Sequence, residues 1–282
     1  MRRVSSRMLH STVLNTINYV FLTAACVVIA IPFLWMFATS LKPDSEVFSI
    51  PLKWIGSHLQ WTNYTRAVQF FPFGRFVFND LLVSVLGTLL TLITSSLSAY
   101  AFSRLNFKSR DQIFAAYLLT LMVPQQVIVV PMFLLMKYIG WVNTYWALIL
   151  PWAFTAFGTF LMRQFYMTIP FELDEAARID GCSHFRIYWR IILPLAKPGF
   201  AALAVFTFIS YWNNLLWPLI VTNDKSKFTL PLGLQAFHGQ YGTQWNLLMA
   251  GAALAVVPSL IVYLVAQRYI VEGISFSGLG GR

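Results

Sequence analysis

Four of the ten acidic residues in this sequence, Glu172, Asp174, Glu175 and Asp180, stand within nine consecutive positions of a segment that also carries Arg178 and Gly181. That segment, ELDEAARIDGCSHFRIYWRIILPLAKPG from Glu172 to Gly199, is the long charged stretch between apolar runs. Its chemistry is recognition: carboxylates, a guanidinium and an apolar stripe offered to another protein. A second constellation, Ser210-Tyr211-Trp212-Asn213-Asn214 followed by Trp217-Pro218, sets two adjacent amides among aromatic rings. Buried amides are costly in hydrocarbon, and the pairing suits a polyhydroxylated ligand, whose hydroxyls take bidentate partners and whose ring faces stack. Asn79, Gln125 and Gln126 are further polar groups inside apolar surroundings. The two glutamines fit helix-packing contacts as well as they fit contact with a cargo.

The elements that must carry these groups follow from composition. The chain is 58% hydrophobic, 17% aromatic and only 11% charged, with a mean hydropathy of +0.65, values that place it in a membrane. A span needs about 20 apolar residues. Windows free of Asp, Glu, Lys and Arg run over 11–41, 81–103, 112–136, 138–162, 198–223 and 228–267, the last narrowing to 247–266. Six spans put both termini on one side. Thirteen of the twenty basic residues fall at the termini, in the 104–111 loop and in the stretch from Arg163 through the charged segment, which assigns that side to the cytoplasm. The net charge of +10 reflects this orientation and anionic headgroups, since no basic stripe interleaved with aromatics marks a nucleic-acid surface. The fold class is therefore all-α integral membrane, a single domain over 1–282 with a cytoplasmic loop at 165–197.

Within that loop Pro170 and the carboxylates after it mark a helix start, and Gly181 a left-handed stop after Arg178. Ser183 caps a second helix, predicted to end at Pro194. Small Ala176 and Ala177 allow a close approach on the first helix.

Glu175-Ala176-Ala177, three residues, Gly181, nine residues, Ile191, one residue and Leu193-Pro194 resembles the EAA signature of ATP-binding-cassette importer permeases. The form Glu175 to Gly181, EAARIDG, resembles the carbohydrate-uptake branch, in the maltose-permease-like second permease of a heterodimeric pair. This resemblance spans nearly the whole chain and implies the type I importer permease fold. The implied role of Glu172, Asp174, Glu175, Ala176, Ala177, Arg178, Asp180 and Gly181 is a coupling helix seated in an ATPase subunit. It also implies a second homologous permease, two ATPase subunits that hold ATP and Mg, and an extracytoplasmic sugar-binding protein. His238, Gln240, Tyr241, Gln244 and Trp245 lie in the outer loop that would meet that protein. The same loop, read without the resemblance, is a flexible polar connector. Relatives often carry Asn-Ser at Asn79-Asp80 and Trp-Asn-Asp at Trp212-Asn213-Asn214, and this chain departs from both.

No Gly here is followed by Lys, so the chain has no loop to cradle nucleotide phosphates. No zinc-protease helix or nucleophile elbow occurs, and Cys26 and Cys182 are assigned to different depths. The expectation is a non-catalytic subunit without a cofactor of its own, multi-pass in a bacterial cytoplasmic membrane. A glycerol-phosphate or polyol cargo stays open, because the signature addresses the ATPase. An ion-coupled secondary transporter is the remaining alternative.

Overall fold

The computed structural model describes residues 2–239 and 242–278, with side-chain surroundings from residue 14 to 268. Helix dominates because apolar runs without water must satisfy their backbone internally. Among the described residues three helices are long and apolar enough to cross a membrane unbroken: α1 (Arg2–Ser40, apolar over Leu14–Ser40), α3 (Phe73–Arg104) and α14 (Trp245–Gly278, apolar over Trp245–Arg268). A short helix, α2 (Thr62–Phe70), comes between α1 and α3 in chain order. Three further spans are bent pairs, giving six when each pair counts once.

The bends are where the sequence reading was too simple. The third span was expected as one helix over 112–136. It is instead α4 (Arg110–Leu119, extended by a tight turn to Met122) and α5 (Gln125–Tyr138), meeting at 98°. Pro124 is the cause, since a residue before proline is driven out of the helical region, and Val123 is extended at ψ 116°. The fourth pair, α6 (Tyr145–Ile149, continued to Trp152) and α7 (Ala156–Met167), bends by 47° around Pro151. The fifth window, expected as one helix through Val221, stops at Trp212: α11 (Lys197–Trp212) and α12 (Leu216–Val221) are separated by Asn213–Leu215, where Asn214 Oδ1 accepts from Trp217 N–H at 3.2 Å.

The charged segment forms α8 (Glu172–Ile179), then α9 (His184–Ile187), whose axis continues through a π turn over Tyr188–Ile192 into α10 (Leu193–Leu195). Gly181 turns between them at φ +77°, a region where a side chain is strained. Ser183 Oγ accepts from Arg186 N–H as the cap. Pro194, expected to end the second helix, does not. The π turn has Leu193 N–H reaching back to Tyr188 O, which shifts the ladder ahead of the proline, and α-type bonding resumes at Ala196 N–H to Ile192 O. The α9–α10 axis meets α11 at 77°.

Two compact units are distinguished: Met1–Phe71 with Phe237–Leu254, and Pro72–Ala236 with Ala255–Arg282. In the first, Lys42 is wholly buried, donates to Lys53 O at 2.5 Å and lies 4.1 Å over the Trp35 ring, while Asn63 donates to Ser40 O and Lys42 O. Burial pushes the Lys42 ammonium below the ordinary lysine value. The second unit is built on α3, which packs along α7 and α11. α13 (Leu230–Leu234) also lies against it. One apolar core gathers around its C-terminal end (Ala99, Tyr100, Met162, Tyr166, Ile187, Tyr188, Ile192) and another around Val83, Leu148, Ile149, Tyr211 and Trp217.

Candidate functional site

The bend between α4 and α5 leaves a wedge that neighbouring helices do not fill, and it opens as a cavity of about 770 Å³. Its wall takes Thr91 from α3, Tyr117 and Thr120 from the α4 arm, Gln125 and Met132 from α5, Trp152 and Thr155 from the α6–α7 break, and Thr207, Ser210, Tyr211 and Asn214 from α11 and the break that follows it. Phe154, Phe157 and Phe206 complete an aromatic rim. Hydroxyls, two amides and rings line it, and no charged side chain does. Such a surface holds a neutral polyhydroxylated molecule by hydrogen bonds and stacking.

Of the residues predicted to face a cargo, Gln125, Tyr211 and Asn214 lie on this wall. The others do not. Asn79 is buried and fully engaged: its amide donates to Ser226 O and Phe228 O, both at 2.9 Å, and its carbonyl accepts from Tyr145 O–H at 2.7 Å. It clamps a loop instead of lining a path. Trp212 is buried, stacks on Phe208 and donates to Ala255 O at 2.9 Å. Gln126 and Asn213 are exposed away from the cavity wall.

Trp217 is buried for a reason the sequence contained. Pro151 has no N–H, so Ala147 O, four positions earlier, loses its helical partner; Trp217 Nε1–H replaces it at 2.7 Å. Ala153 N–H turns to Leu150 O, which frees Ile149 O, and Tyr211 O–H donates there at 2.8 Å. Thr94 O–H donates to Ala153 O at 2.6 Å. The carbonyls released by the break are thus taken by side chains of other helices, as a low-dielectric interior requires. Tyr211 presents only its ring to the cavity, and the aromatic identities of 211 and 217 answer to the proline at 151.

At the charged segment, Glu172, Glu175, Ala176, Arg178, Asp180 and Gly181 are exposed. Two residues predicted for the same outward surface face inward. Ala177 packs in the core around Tyr100 and Tyr166, and Asp174 is completely buried, 2.9 Å from Arg104 Nη1. An uncompensated carboxylate could not be buried there, and Arg104 supplies the countercharge from the last turn of α3. Arg104 also donates to Ile169 O at 2.7 Å and to Tyr166 O. Sequence reading passed over Arg104 as one basic residue of a loop; its position eight residues after Ser96 and four after Tyr100, all on one helical face, was the available signal. Outward, the segment shows apolar knobs: Ile179 is 87% exposed, and the Phe185 and Trp189 rings stack 6.4 Å apart at 17°.

The outer loop, expected to be flexible, forms a short antiparallel hairpin, β1 (His238–Gly239) with β2 (Gly242–Thr243). His238 is exposed and its Nδ1 lies 2.9 Å from Thr243 Oγ1, while Gln244 is exposed and Trp245 half-buried, edge-on to Phe48. Gln240 and Tyr241 lie outside the described residues. Among the described residues no group of His, Cys, Asp and Glu could hold a metal ion.

Spans broken around a neutral cavity, on the same helices that lead to a charged, bent segment, can hold and pass a small polar cargo. Residues 91–276 match the family model described as "Binding-protein-dependent transport system inner membrane component", and the chain belongs to that family. It is 34% identical over 257 residues to the arabinooligosaccharides transport system permease protein AraQ of Bacillus subtilis, covering 89% of this chain and 90% of the relative. It is 37% identical over 270 residues to the sn-glycerol-3-phosphate transport system permease protein UgpE of Yersinia enterocolitica, covering 93% and 96%. Its fold is similar to a chain in the crystal structure of a bacterial ABC transporter involved in the import of the acidic polysaccharide alginate, with a TM-score of 0.80, 23% identity, and coverage of 92% and 96%.

Proposed function

We propose that this chain forms half of the translocation pathway of an ATP-driven importer whose cargo is a neutral sugar or short oligosaccharide. The observation that carries the cargo class is the cavity wall: Thr91, Thr120, Thr155, Thr207 and Ser210 with Gln125 and Asn214, set among aromatic rings, without a single cation. A phosphorylated cargo calls for a guanidinium, an ammonium or a helix N-terminus aimed at it. The glycerol-phosphate reading has as support the 37% identity to UgpE and the starts of α5 and α7, at Pro124–Gln125 and Thr155–Ala156, on the wall; the lack of a guanidinium or ammonium on that wall favours the neutral cargo.

In this reading a second, homologous permease closes the open side of the cavity, and an extracytoplasmic binding protein delivers cargo near the 238–245 hairpin. Two ATPase subunits hold ATP and Mg and receive the exposed face of the 172–181 segment, so this chain hydrolyses nothing itself. Both termini are cytoplasmic, in keeping with the basic-residue bias. Closure of the ATPases tilts the segment and switches the cavity between its two faces.

Reconstituting the chain with its partner permease, ATPase and binding protein, and offering labelled neutral oligosaccharides and glycerol phosphate separately, tests this. ATP-dependent uptake of the neutral sugars alone is expected. Uptake of glycerol phosphate alone would overturn the cargo class, and uptake that follows an ion gradient without ATP would overturn the importer reading.

A further inference from the structure

We infer that Ser96, Tyr100 and Arg104 form a seat through which the coupling segment drives α3, and that these three are positioning residues for transport. They recur every four residues, so one face of the last turns of α3 carries all of them. Each grips a different piece of the cytoplasmic segment. Ser96 Oγ is hydrogen-bonded to Tyr166 O–H at 2.6 Å and to Tyr188 O–H at 2.7 Å, joining the end of α7 to the π turn. Tyr100 O–H donates to His184 O at 3.0 Å, at the start of α9. Arg104 Nη1 donates to Asp174 Oδ2 at 2.9 Å on α8, and Nη2 takes Ile169 O in the turn before it.

All three side chains are buried, as are Asp174, Tyr166 and Tyr188. A buried polar group that loses its partner here finds no water to replace it. The coupling segment therefore has no low-cost way to slide over α3, and a tilt imposed on the segment is a tilt of α3. The same helix carries Thr91 in the cavity wall and Gly87 against the Tyr211 ring. One rigid rod thus joins the charged segment to the cavity instead of a compliant linkage.

The inference rests on the permease reading and is tested with the whole reconstituted complex. Ser96→Ala and Tyr188→Phe each remove only hydroxyl contacts, and Arg104→Lys keeps the charge but loses the fork that serves Asp174 and the carbonyl oxygens together. The readout is ATP hydrolysed per cargo molecule taken up, alongside the yield of assembled complex. Full assembly with that ratio raised about fivefold is expected, the factor one weakened buried hydrogen bond represents. An unchanged ratio, with uptake and hydrolysis falling together in step with complex yield, would overturn the seat and leave the permease reading intact. A wild-type complex that hydrolyses ATP without any uptake would overturn both.

Discussion

Tyr211 lies flat against Gly87: a Cβ built on that glycine would fall 2.5 Å from Tyr211 Cζ and 2.6 Å from Cε2. No carbon pair tolerates that distance, so α3 and α11 meet at this point only because residue 87 has no side chain. The ring cannot retreat easily, since its hydroxyl is fixed on Ile149 O. Gly87→Ala is therefore expected to destabilise the protein by about 1–3 kcal/mol through overpacking, read as a lower unfolding temperature in detergent. Tyr211→Phe leaves the ring in place but strands Ile149 O, an expected loss of about 1–3 kcal/mol.

Trp217→Phe tests whether position 217 serves the cargo or the backbone. Removing the indole N–H strands Ala147 O, which Pro151 already deprives of its helical partner. The expected cost is about 1–3 kcal/mol of stability, with cargo affinity of the surviving complex unchanged. A shift in cargo affinity without a stability loss would return Trp217 to the pathway.

The number and order of the spans were legible because twenty-residue apolar windows are a one-dimensional signal. So were the two-helix form of the charged segment, the αL stop at Gly181 and the Ser183 cap, each set by local chemistry. The bend at Pro124 was less so, although the proline was visible: a membrane helix keeps or breaks its course at proline according to what satisfies the freed carbonyls, and that depends on distant residues. The same dependence hid the roles of Asn79 and Trp217. Amides and indoles in apolar runs looked like ligands for a cargo, yet their partners were carbonyls 70 to 149 positions away. Asp174 shows the converse. Its neighbours are outward-facing acids, and only Arg104, from another helix, turns it inward.

Gly181 separates strain from collision. Nothing lies within 4 Å of a Cβ placed there, yet φ is +77°. Gly181→Ala should thus cost only the left-handed penalty, about 1–2 kcal/mol, and Gly181→Asn less, because Asn tolerates this region. Gly181→Val, β-branched, should shift the α8–α9 angle and lower coupled ATPase activity most. Equal loss in all three variants would point to a direct contact at this position and not to backbone conformation.

Asp224 gives the outer loop a pH response. It accepts from Ser226 N–H and O–H, both at 2.8 Å, and these bonds hold its carboxyl below the ordinary value of 3.8. A depressed folded value means the contribution is complete above 3.8 and is lost as pH falls through the lower, folded value. Since Asn79 holds Ser226 O, acidification in that window should loosen the clamped turn. Hydrogen exchange at the Ser226 amide is expected to quicken below pH 3.8 relative to its intrinsic rate, and Asp224→Asn should show no such dependence.

The Arg104–Asp174 pair permits the sharpest separation of stability from fit. Both side chains are at most 2% exposed, so removing either charge leaves the other in a medium that cannot solvate it. Arg104→Met alone is expected to cost about 3–5 kcal/mol, and Asp174→Leu alone a similar amount. Made together, they leave no orphaned charge, and the double variant should recover most of that loss because buried ion pairs are often replaced by apolar pairs at little net cost. The two carbonyls at 166 and 169 still lose a donor, so recovery should fall short of wild type by about 1–2 kcal/mol. Unfolding of the four proteins in one detergent completes the double-mutant cycle. If the double variant is as unstable as the sum of the singles, the pair contributes nothing as a pair, and each residue acts through its own separate contacts.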